Sequence, residues 1–373
     1  KERRKGADIR AVTLWSMFGA VDWRSLLTRK DGIYDVGAFD TRGETPRPTL
    51  IAKAAAALGR GEKFEHPLLD LPGWWRRPGR CNARRRFETL PRDCSTARPI
   101  LITGATGTLG KAFSKICSHR GLAHVLTSRA ELDITSQASI AAALERYKPW
   151  AIINTAGFVR VAEAEELSEE CFRINATGPE LLAKACKLAG LPLVTFSSDL
   201  VFDGKLGRSY VEPDLLTPAN AYGRSKAEAE GRVMDIASDA LIIRTSAFFG
   251  PWDEYNYLYH VADRLKRGEE VIASDRNIVS PTYVPDLVQA SLDLLLDEEK
   301  GIWHLTNQGA VSWHDLAMQV ADRAKLDRKL IRPVENDEPV DTSLTSRRGL
   351  MLRGLEGGLD DFFENSEPLR RIA

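Results

Sequence analysis

The stretch that most limits what this chain can fold into is Ile100-Leu101-Ile102-Thr103-Gly104-Ala105-Thr106-Gly107-Thr108-Leu109-Gly110. Apolar and β-branched residues lead into a loop whose glycines stand three apart, and Lys111-Ala112-Phe113-Ser114-Lys115 follows as a helix-forming run. The pattern predicts a strand, a tight turn and a helix. Gly104 permits a sharp exit from the strand. Gly107 removes a Cβ that would hold a pyrophosphate away from the backbone, and Gly110 lets the helix pack closely on the sheet. With Thr106, Thr108 and Leu109 they form a loop whose N–H groups, at the helix start, would face a dinucleotide's phosphates. A glycine trio alone is also compatible with a plain tight turn. The flanking strand and helix favour the dinucleotide site.

From here strand and helix signals alternate. They predict an α/β fold: a Rossmann-type, doubly wound parallel sheet, with a smaller C-terminal substrate lobe mainly from about 247 onward. His124 to Arg129 is the second strand, and its end carries Ser128-Arg129 and no acid. An acid at this point would suit the ribose 2′-OH of NADH, whereas Arg suits a 2′-phosphate, so NADPH is favoured and NADH stays open. Arg129 as a plain surface charge is the alternative. In Leu132-Asp133-Ile134, Asp133 either accepts from the adenine amino group, beside Ile134, or caps the helix starting near Ser136. Ala151 to Gly157 is the next strand, and the small residues at its end, Thr155, Ala156 and Gly157, would lie against the cofactor. Asn175 sits in a helix from Cys171 to Ala189, also on the cofactor side. Leu193 to Asp199 is a further strand, with hydroxyls at the end where ligands bind in such sheets.

The chemistry is carried by Tyr222-Gly223-Arg224-Ser225-Lys226. Residues i and i+4 share a helix face, which sets the Tyr222 phenol beside the Lys226 ammonium. A neighbouring cation is expected to lower the tyrosine pKa towards working pH. Ser198, from the facing strand, would polarise a carbonyl.

In this order and spacing these residues resemble an extended short-chain dehydrogenase/reductase of the dTDP-4-dehydrorhamnose reductase family. Further carriers are Phe196-Ser197-Ser198-Asp199-Leu200-Val201-Phe202-Asp203-Gly204, Ile243-Arg244-Thr245-Ser246 and Ser280-Pro281-Thr282-Tyr283-Val284-Pro285-Asp286-Leu287. The resemblance implies NADPH-dependent reduction of the C4 ketone of a nucleotide-linked 4-keto-6-deoxy sugar. It implies catalytic roles for Ser198, Tyr222 as proton donor, and Lys226, with Tyr222 and Lys226 also touching the cofactor. Substrate contacts are expected from Ser198, Asp199, Trp252, Asn256 and Ser280. Related dehydratases carry Asp-Glu after the catalytic hydroxyl, whereas here Asp199 precedes Leu200, which favours simple reduction. Two stretches expected at the sugar pocket depart from the family pattern. They are 247–257 and Asn277-Ile278-Val279, which stands where Gln-x-Gly is usual. Trp252 and Tyr255 are read either as stacking platforms or as packing. The alternative function is a non-catalytic, NADP-binding regulatory or scaffold subunit of the same fold.

Residues 1–62 read differently. Val12 to Phe18 is expected to be a buried strand, and Pro48 to Leu58 a helix. Trp15-Ser16 and Asp22-Trp23 resemble the last β/α unit of a family 1 glycoside hydrolase barrel, although that family usually has Glu where Asp22 stands. The resemblance implies a fusion protein whose N-terminal segment belongs to a larger barrel. It does not supply the facing carboxylate pair a glycosidase needs. Residues 63–97 read as a linker rich in proline and basic residues, with Trp74-Trp75-Arg76-Arg77 and Arg84-Arg85-Arg86. Nucleic-acid contact by this run is the lesser reading. The reductase domain is expected over 98–373.

Composition excludes little else. Basic and acidic residues both number 52, so no charge bias draws the chain to nucleic acid or membrane. No apolar run approaches the roughly 20 residues that span a bilayer. Five scattered cysteines suit a reducing, cytoplasmic setting, with neither a disulfide framework nor a metal site indicated. The partners expected are a nucleotide-sugar substrate and, at most, a second copy in a homodimer.

Overall fold

The structure, a computed structural model, describes residues 5–8, 10–23, 28, 32–71, 97–252, 254–334, 338–366 and 369. The tryptophan- and arginine-rich run expected as a linker lies outside the described residues. The chain divides into two compact units, one ending at Glu65 and one beginning at His66.

In the first unit, Ala20–Val21 pairs antiparallel with Tyr34–Asp35 and Phe39–Asp40 with Arg47–Pro48. A helix follows over Leu50–Gly59. The buried strand expected at Val12 to Phe18 does not form. Among the described residues they make one bridge, Phe18–Phe39, with Ser16 and Met17 carbonyls accepting from Ala38 N and Phe39 N, and Val12 and Trp15 are 76% and 81% exposed. An apolar run becomes a buried strand only if other elements cover it, and one helix with two short hairpins provides too little surface.

The second unit is built on a six-stranded parallel sheet. Its strands are β1 (Ile100–Thr103), β2 (His124–Thr127), β3 (Ala151–Asn154), β4 (Leu193–Ser198), β5 (Leu241–Thr245) and β6 (Gly301–His304). Their order is β6-β5-β4-β3-β1-β2. The chain thus runs outward from β1 to β2, returns to β3 on the other side of β1, and continues away. That reversal opens a crevice at the carboxyl ends of β1 and β3, where such sheets bind ligands. Helices α1 (Thr108–Arg120), α2 (Gln137–Tyr147), α3 (Gly178–Ala189) and α4 (Ala221–Ile236) connect the strands. β1 and β3 are buried along their whole length, so they read as unbroken apolar runs rather than alternating ones.

The sheet's two faces carry two cores. One gathers Phe113, Ile116, Ile153, Leu287, Leu292 and Trp303, with Leu68 and Leu71 packed against it. The other gathers Leu101, Ile140, Ile152, Leu182, Val233 and Ile242. The helix expected over Cys171 to Ala189 is interrupted. A short helix, Ser168–Phe172, runs through one π-helical turn, Arg173–Thr177, into α3. A smaller lobe follows β5. It packs α5 (Tyr257–Lys266), α7 (Trp313–Ala324) and α8 (Leu355–Asn365) around Leu258, Val261, Leu316, Val320 and Phe362. Between α5 and α7 in the chain, α6 (Val284–Leu296) returns to cover the sheet. Among the described residues no helix is long and apolar enough to cross a membrane.

Candidate active site

The glycine loop behaves as its spacing demands. Gly104 adopts φ +81°, and a Cβ there would lie 2.8 Å from Thr155 Oγ1. A Cβ on Gly110 would lie 2.3 Å from the Gly104 carbonyl oxygen, so α1 reaches the sheet only because residue 110 has no side chain. At Gly107 the nearest atom would be 3.5 Å away, which leaves that side of the loop open. Gly107 is also the N-cap of α1 and offers no side-chain acceptor to the first-turn N–H groups. An open backbone face with unpaired donors at a helix N-terminus suits a pyrophosphate.

The walls beside the loop are tied together by β1 and β3. Thr103 Oγ1 donates to Asn154 Oδ1 (2.8 Å) and accepts from the backbone N–H groups of Thr155 and Ala156, both at 3.1 Å. Thr155 Oγ1 donates to the Thr103 carbonyl (2.6 Å). Gly157 follows, and a Cβ there would lie 3.2 Å from Asn175 Oδ1 and 3.5 Å from Lys226 Nζ. Asn175 is fully engaged: Oδ1 accepts from Phe158 N (2.8 Å), and Nδ2 donates to Phe158 O and Ser225 Oγ, both at 3.1 Å. Asn175 therefore staples the loop after β3 to α4.

At the end of β2, Ser128 and Arg129 are already occupied. Glu131 folds back so that Oε2 accepts from Ser128 N (2.9 Å) and Ser128 Oγ (2.8 Å). These two hydrogen bonds hold the Glu131 carboxyl below its ordinary range. Arg129 Nε faces Asp133 Oδ2 at 3.5 Å. Asp133 Oδ1 accepts from Thr135, while Ser136 is the residue that caps α2. Ile134 is buried in the second core. The acid at this corner was missed because it stands three residues beyond Ser128, not at the strand tip.

The residues expected to carry the chemistry converge beyond β4. A cavity of about 410 Å³ is lined by Ser198, Asp199 and Tyr222, by Ser246 and Thr342, and by Trp313. Lys226 lies one helical turn beyond Tyr222, its ammonium 5.8 Å from the phenol ring centre, and donates to the Phe196 carbonyl (3.1 Å). Gly223 explains how α4 reaches β4, since a Cβ there would lie 2.0 Å from the Leu200 carbonyl oxygen. Asn220 caps the helix through Gly223 N (2.8 Å), and Glu165 accepts from Ala221 N (2.7 Å).

A buried carboxylate organises this corner. Asp199 accepts from Ser198 Oγ (2.9 Å), Ser246 Oγ (2.6 Å) and Thr342 Oγ1 (3.0 Å). Burial pushes its pKa up, against those three hydrogen bonds. Burial, and then the neighbouring Asp199 charge, also raise the Tyr222 pKa. Lys226 is pushed down by burial to about 8. The expected lowering of the tyrosine pKa does not occur, because desolvation and Asp199 outweigh the hydrogen bond with Ser198, the one group that lowers it. The phenol stays protonated.

Trp252, Asn256 and Ser280 lie outside the cavity lining. Trp252 packs against the first core beneath Lys115, whose ammonium is 4.8 Å from the ring centre. Asn256 caps α5 by accepting from Tyr259 N (3.0 Å). Ser280 Oγ accepts from Leu344 N (3.0 Å), joining two segments of the smaller lobe. Trp313, Ser246 and Thr342 were missed as site residues. Trp313 reads in sequence as the apolar start of an amphipathic helix, and Thr342 lies in a polar tail without a motif.

Comparison with known proteins agrees with this arrangement. The family described as RmlD substrate binding domain matches residues 98–351. The dTDP-4-keto-6-deoxy-D-glucose reductase of Streptomyces niveus is 33% identical over 238 residues, 64% of this chain and 82% of that protein. The dTDP-4-dehydrorhamnose reductase of Aggregatibacter actinomycetemcomitans is 32% identical over 240 residues, 62% of this chain and 81% of that one. Among solved structures, the dTDP-4-dehydrorhamnose reductase of Bacillus anthracis in complex with NADP superposes with a TM-score of 0.67. It is 28% identical, and the match covers 72% of this chain and 99% of that one.

Proposed function

Because this chain belongs to the RmlD substrate binding domain family, we propose that its second unit reduces the C4 ketone of a nucleotide-linked 4-keto-6-deoxy sugar with NADPH. The observation that carries the reading is the convergence of Ser198 and Tyr222 on one cavity, with Lys226 beneath, at the carboxyl end of the sheet. The open face of the glycine loop and the uncapped start of α1 would hold the cofactor's pyrophosphate, while Thr155, Ala156, Gly157 and Lys226 would flank its nicotinamide half. NADPH supplies a hydride to the carbonyl carbon when bound.

The protein's own residues handle the oxygen. As the carbonyl π pair moves onto oxygen, Tyr222 gives up its proton and the C4 hydroxyl forms. Burial and Asp199 keep that phenol in the proton-bearing form a reduction consumes. Ser198 has one hydrogen, which points at Asp199 while its oxygen accepts from Leu200 N at 3.1 Å. To donate to the ketone, that hydrogen rotates away from Asp199, which keeps the hydrogen bonds from Ser246 and Thr342. Lys226, fixed on the Phe196 carbonyl, places positive charge below the phenol, where negative charge develops as the proton leaves.

The test is NADPH oxidation with dTDP-4-dehydrorhamnose. Turnover is expected, with a loss of about a hundredfold or more in Tyr222→Phe. NADPH binding without turnover on any 4-keto sugar nucleotide would overturn the reading.

For the first unit, the resemblance at Trp15-Ser16 and Asp22-Trp23 supports reading it as the last β/α unit of a larger barrel. The exposed apolar run from Val12 to Trp23 fits such a setting, where neighbouring strands would cover it. The buried, unpaired thiols of Cys117, Cys171 and Cys186 support a reducing, cytoplasmic location.

A further inference from the structure

Arg244 sits inside β5, whose five residues are all buried, and its side chain is 2% exposed. A charge in such a place is costly unless its donors are matched, and an apolar pair of like volume is often as stable as a buried ion pair. Arg244 is closely matched. Nε and Nη2 donate to the two carboxylate oxygens of Glu230 (2.9 and 2.7 Å). Nη1 donates to the Glu212 carbonyl (3.1 Å) and to His304 Nε2 (3.2 Å). His304 Nδ1 donates in turn to the Thr345 carbonyl (2.8 Å), which leaves Nε2 as the acceptor an arginine requires. The Phe202 ring lies against the guanidinium, its centre 5.2 Å from the guanidinium carbon. The fork is held in place from behind.

What the fork holds lies one helical turn from the reactive pair. On α4, Lys226 follows Tyr222 by four residues and Glu230 follows Lys226 by four. A lysine and a glutamate at that spacing meet and attract each other, more strongly in a buried setting than in water. The titratable groups around Lys226 are Tyr222 and Glu230 on its own helix and Cys171 on the short helix Ser168–Phe172, with Arg244 behind Glu230 and Asp199 beside Tyr222. Burial pushes Lys226 down, against an upward pull from Cys171 and Glu230. Yet the Lys226 ammonium donates to the Phe196 carbonyl of β4 (3.1 Å) and stands 3.5 Å from where a Cβ on Gly157 would lie. It points to the site, while both Glu230 oxygens are taken by Arg244.

We propose that Arg244 is a positioning residue for the reduction: its guanidinium occupies both oxygens of Glu230 and so keeps that carboxylate from drawing the Lys226 ammonium one turn along α4, away from the Phe196 carbonyl and the Tyr222 phenol. This rests on the reductase reading above and adds a residue to it that touches neither cofactor nor sugar.

The experiment follows the Lys226 Cε resonance against pH by carbon-13 lysine NMR, assigned by its loss in Lys226→Met. Wild type is compared with Arg244→Met, with Arg244→Lys, and with Arg244→Met combined with Glu230→Gln. Arg244→Met frees Glu230, so the Lys226 midpoint is expected to rise by about 1–2 pH units. In that variant kcat/KM per folded molecule should fall about tenfold to a hundredfold. Arg244→Lys keeps the charge but loses the fork; its midpoint should rise by less, and it decides the matter if Arg244→Met does not fold. Adding Glu230→Gln removes the competitor, so the midpoint should return to the wild-type value or below and most of kcat/KM should recover. A pair that only braced α4 against β5 would lower Tm in these variants and leave the midpoint in place. An unchanged midpoint in Arg244→Met and Arg244→Lys overturns the proposal, as does a combined variant whose midpoint stays raised. The titration needs no substrate. Absence of turnover in wild type therefore strikes the functional reading alone, and the NMR midpoints still decide whether Arg244 holds Glu230 off Lys226.

Discussion

At the scale of single residues, the site is a contest between burial and charge. Lys226 shows it most directly, because burial lowers its pKa from 10.5 to about 8. Between these two values the unfolded chain holds a proton that the folded chain has released. The cost to folding is therefore full below pH 8 and fades as pH rises towards 10.5. Lys226→Met should raise stability at pH 7 by roughly 1–3 kcal/mol while removing activity. The gain should shrink across that window, and thermal melts at several pH values would read it. A Tm unchanged at pH 7 would mean the ammonium is not paying this desolvation cost. Glu131 makes a second case. Its carboxylate holds the Ser128 donors that a 2′-phosphate would need, and like charges repel there. Glu131→Gln should tighten NADPH binding by about threefold to tenfold and leave NADH nearly unchanged, as fluorescence titration would reveal. Equal effects on both cofactors would refute that role. Ser198, Tyr222 and Lys226 were legible in sequence because helix spacing and strand position speak for themselves. Glu131, Trp313 and Thr342 were not legible, because their places come from where the chain folds back.

Among the elements, α4 matters most, since it carries both Tyr222 and Lys226. Its first turn is set by the Asn220 cap, by Glu165 on Ala221 N, and by the close approach of Gly223 to the Leu200 carbonyl. Farther along, Glu230 pairs with the buried Arg244 of β5 at 2.7 Å. Gly223→Ala forces the helix off the end of β4, so Tyr222 and Ser198 no longer face one point. The expected result is a fall in kcat of about a hundredfold, a stability loss of about 1–3 kcal/mol, and NADPH affinity close to wild type. Steady-state kinetics beside a cofactor titration would separate these, and a kcat within threefold of wild type would contradict the packing argument. Alternation of strand and helix could be read from sequence because parallel strands covered on both faces appear as short apolar runs. The π-helical turn at Arg173–Thr177 could not, since an added residue in a helix leaves the apolar pattern nearly intact. The strand expected at Val12 to Phe18 failed for the opposite reason: the pattern was present, but among the described residues too little packs on it to bury it.

Across the whole molecule, every proposed site residue belongs to the unit beginning at His66. A chain starting there should keep kcat and KM within about twofold of the full chain. One starting at residue 98 loses Leu68 and Leu71 from the first core, and the His66 ring that stands 5.7 Å from Trp150. It should melt lower by the equivalent of about 2–4 kcal/mol. Parallel denaturation curves would check both, and equal stability of the two chains would place the boundary nearer residue 98. The last consequence follows from Thr342, which donates to Asp199 across 143 positions of sequence. A chain is made from its N-terminus, so β1 to β4 and the glycine loop leave the ribosome long before Thr342 does. The nascent protein can thus form the glycine loop while the Asp199 carboxylate beside Ser198 still lacks one of its three hydroxyls. The glycine loop therefore forms before the Asp199 corner is complete, whose third hydroxyl comes from a segment that follows all six strands of the sheet in the chain.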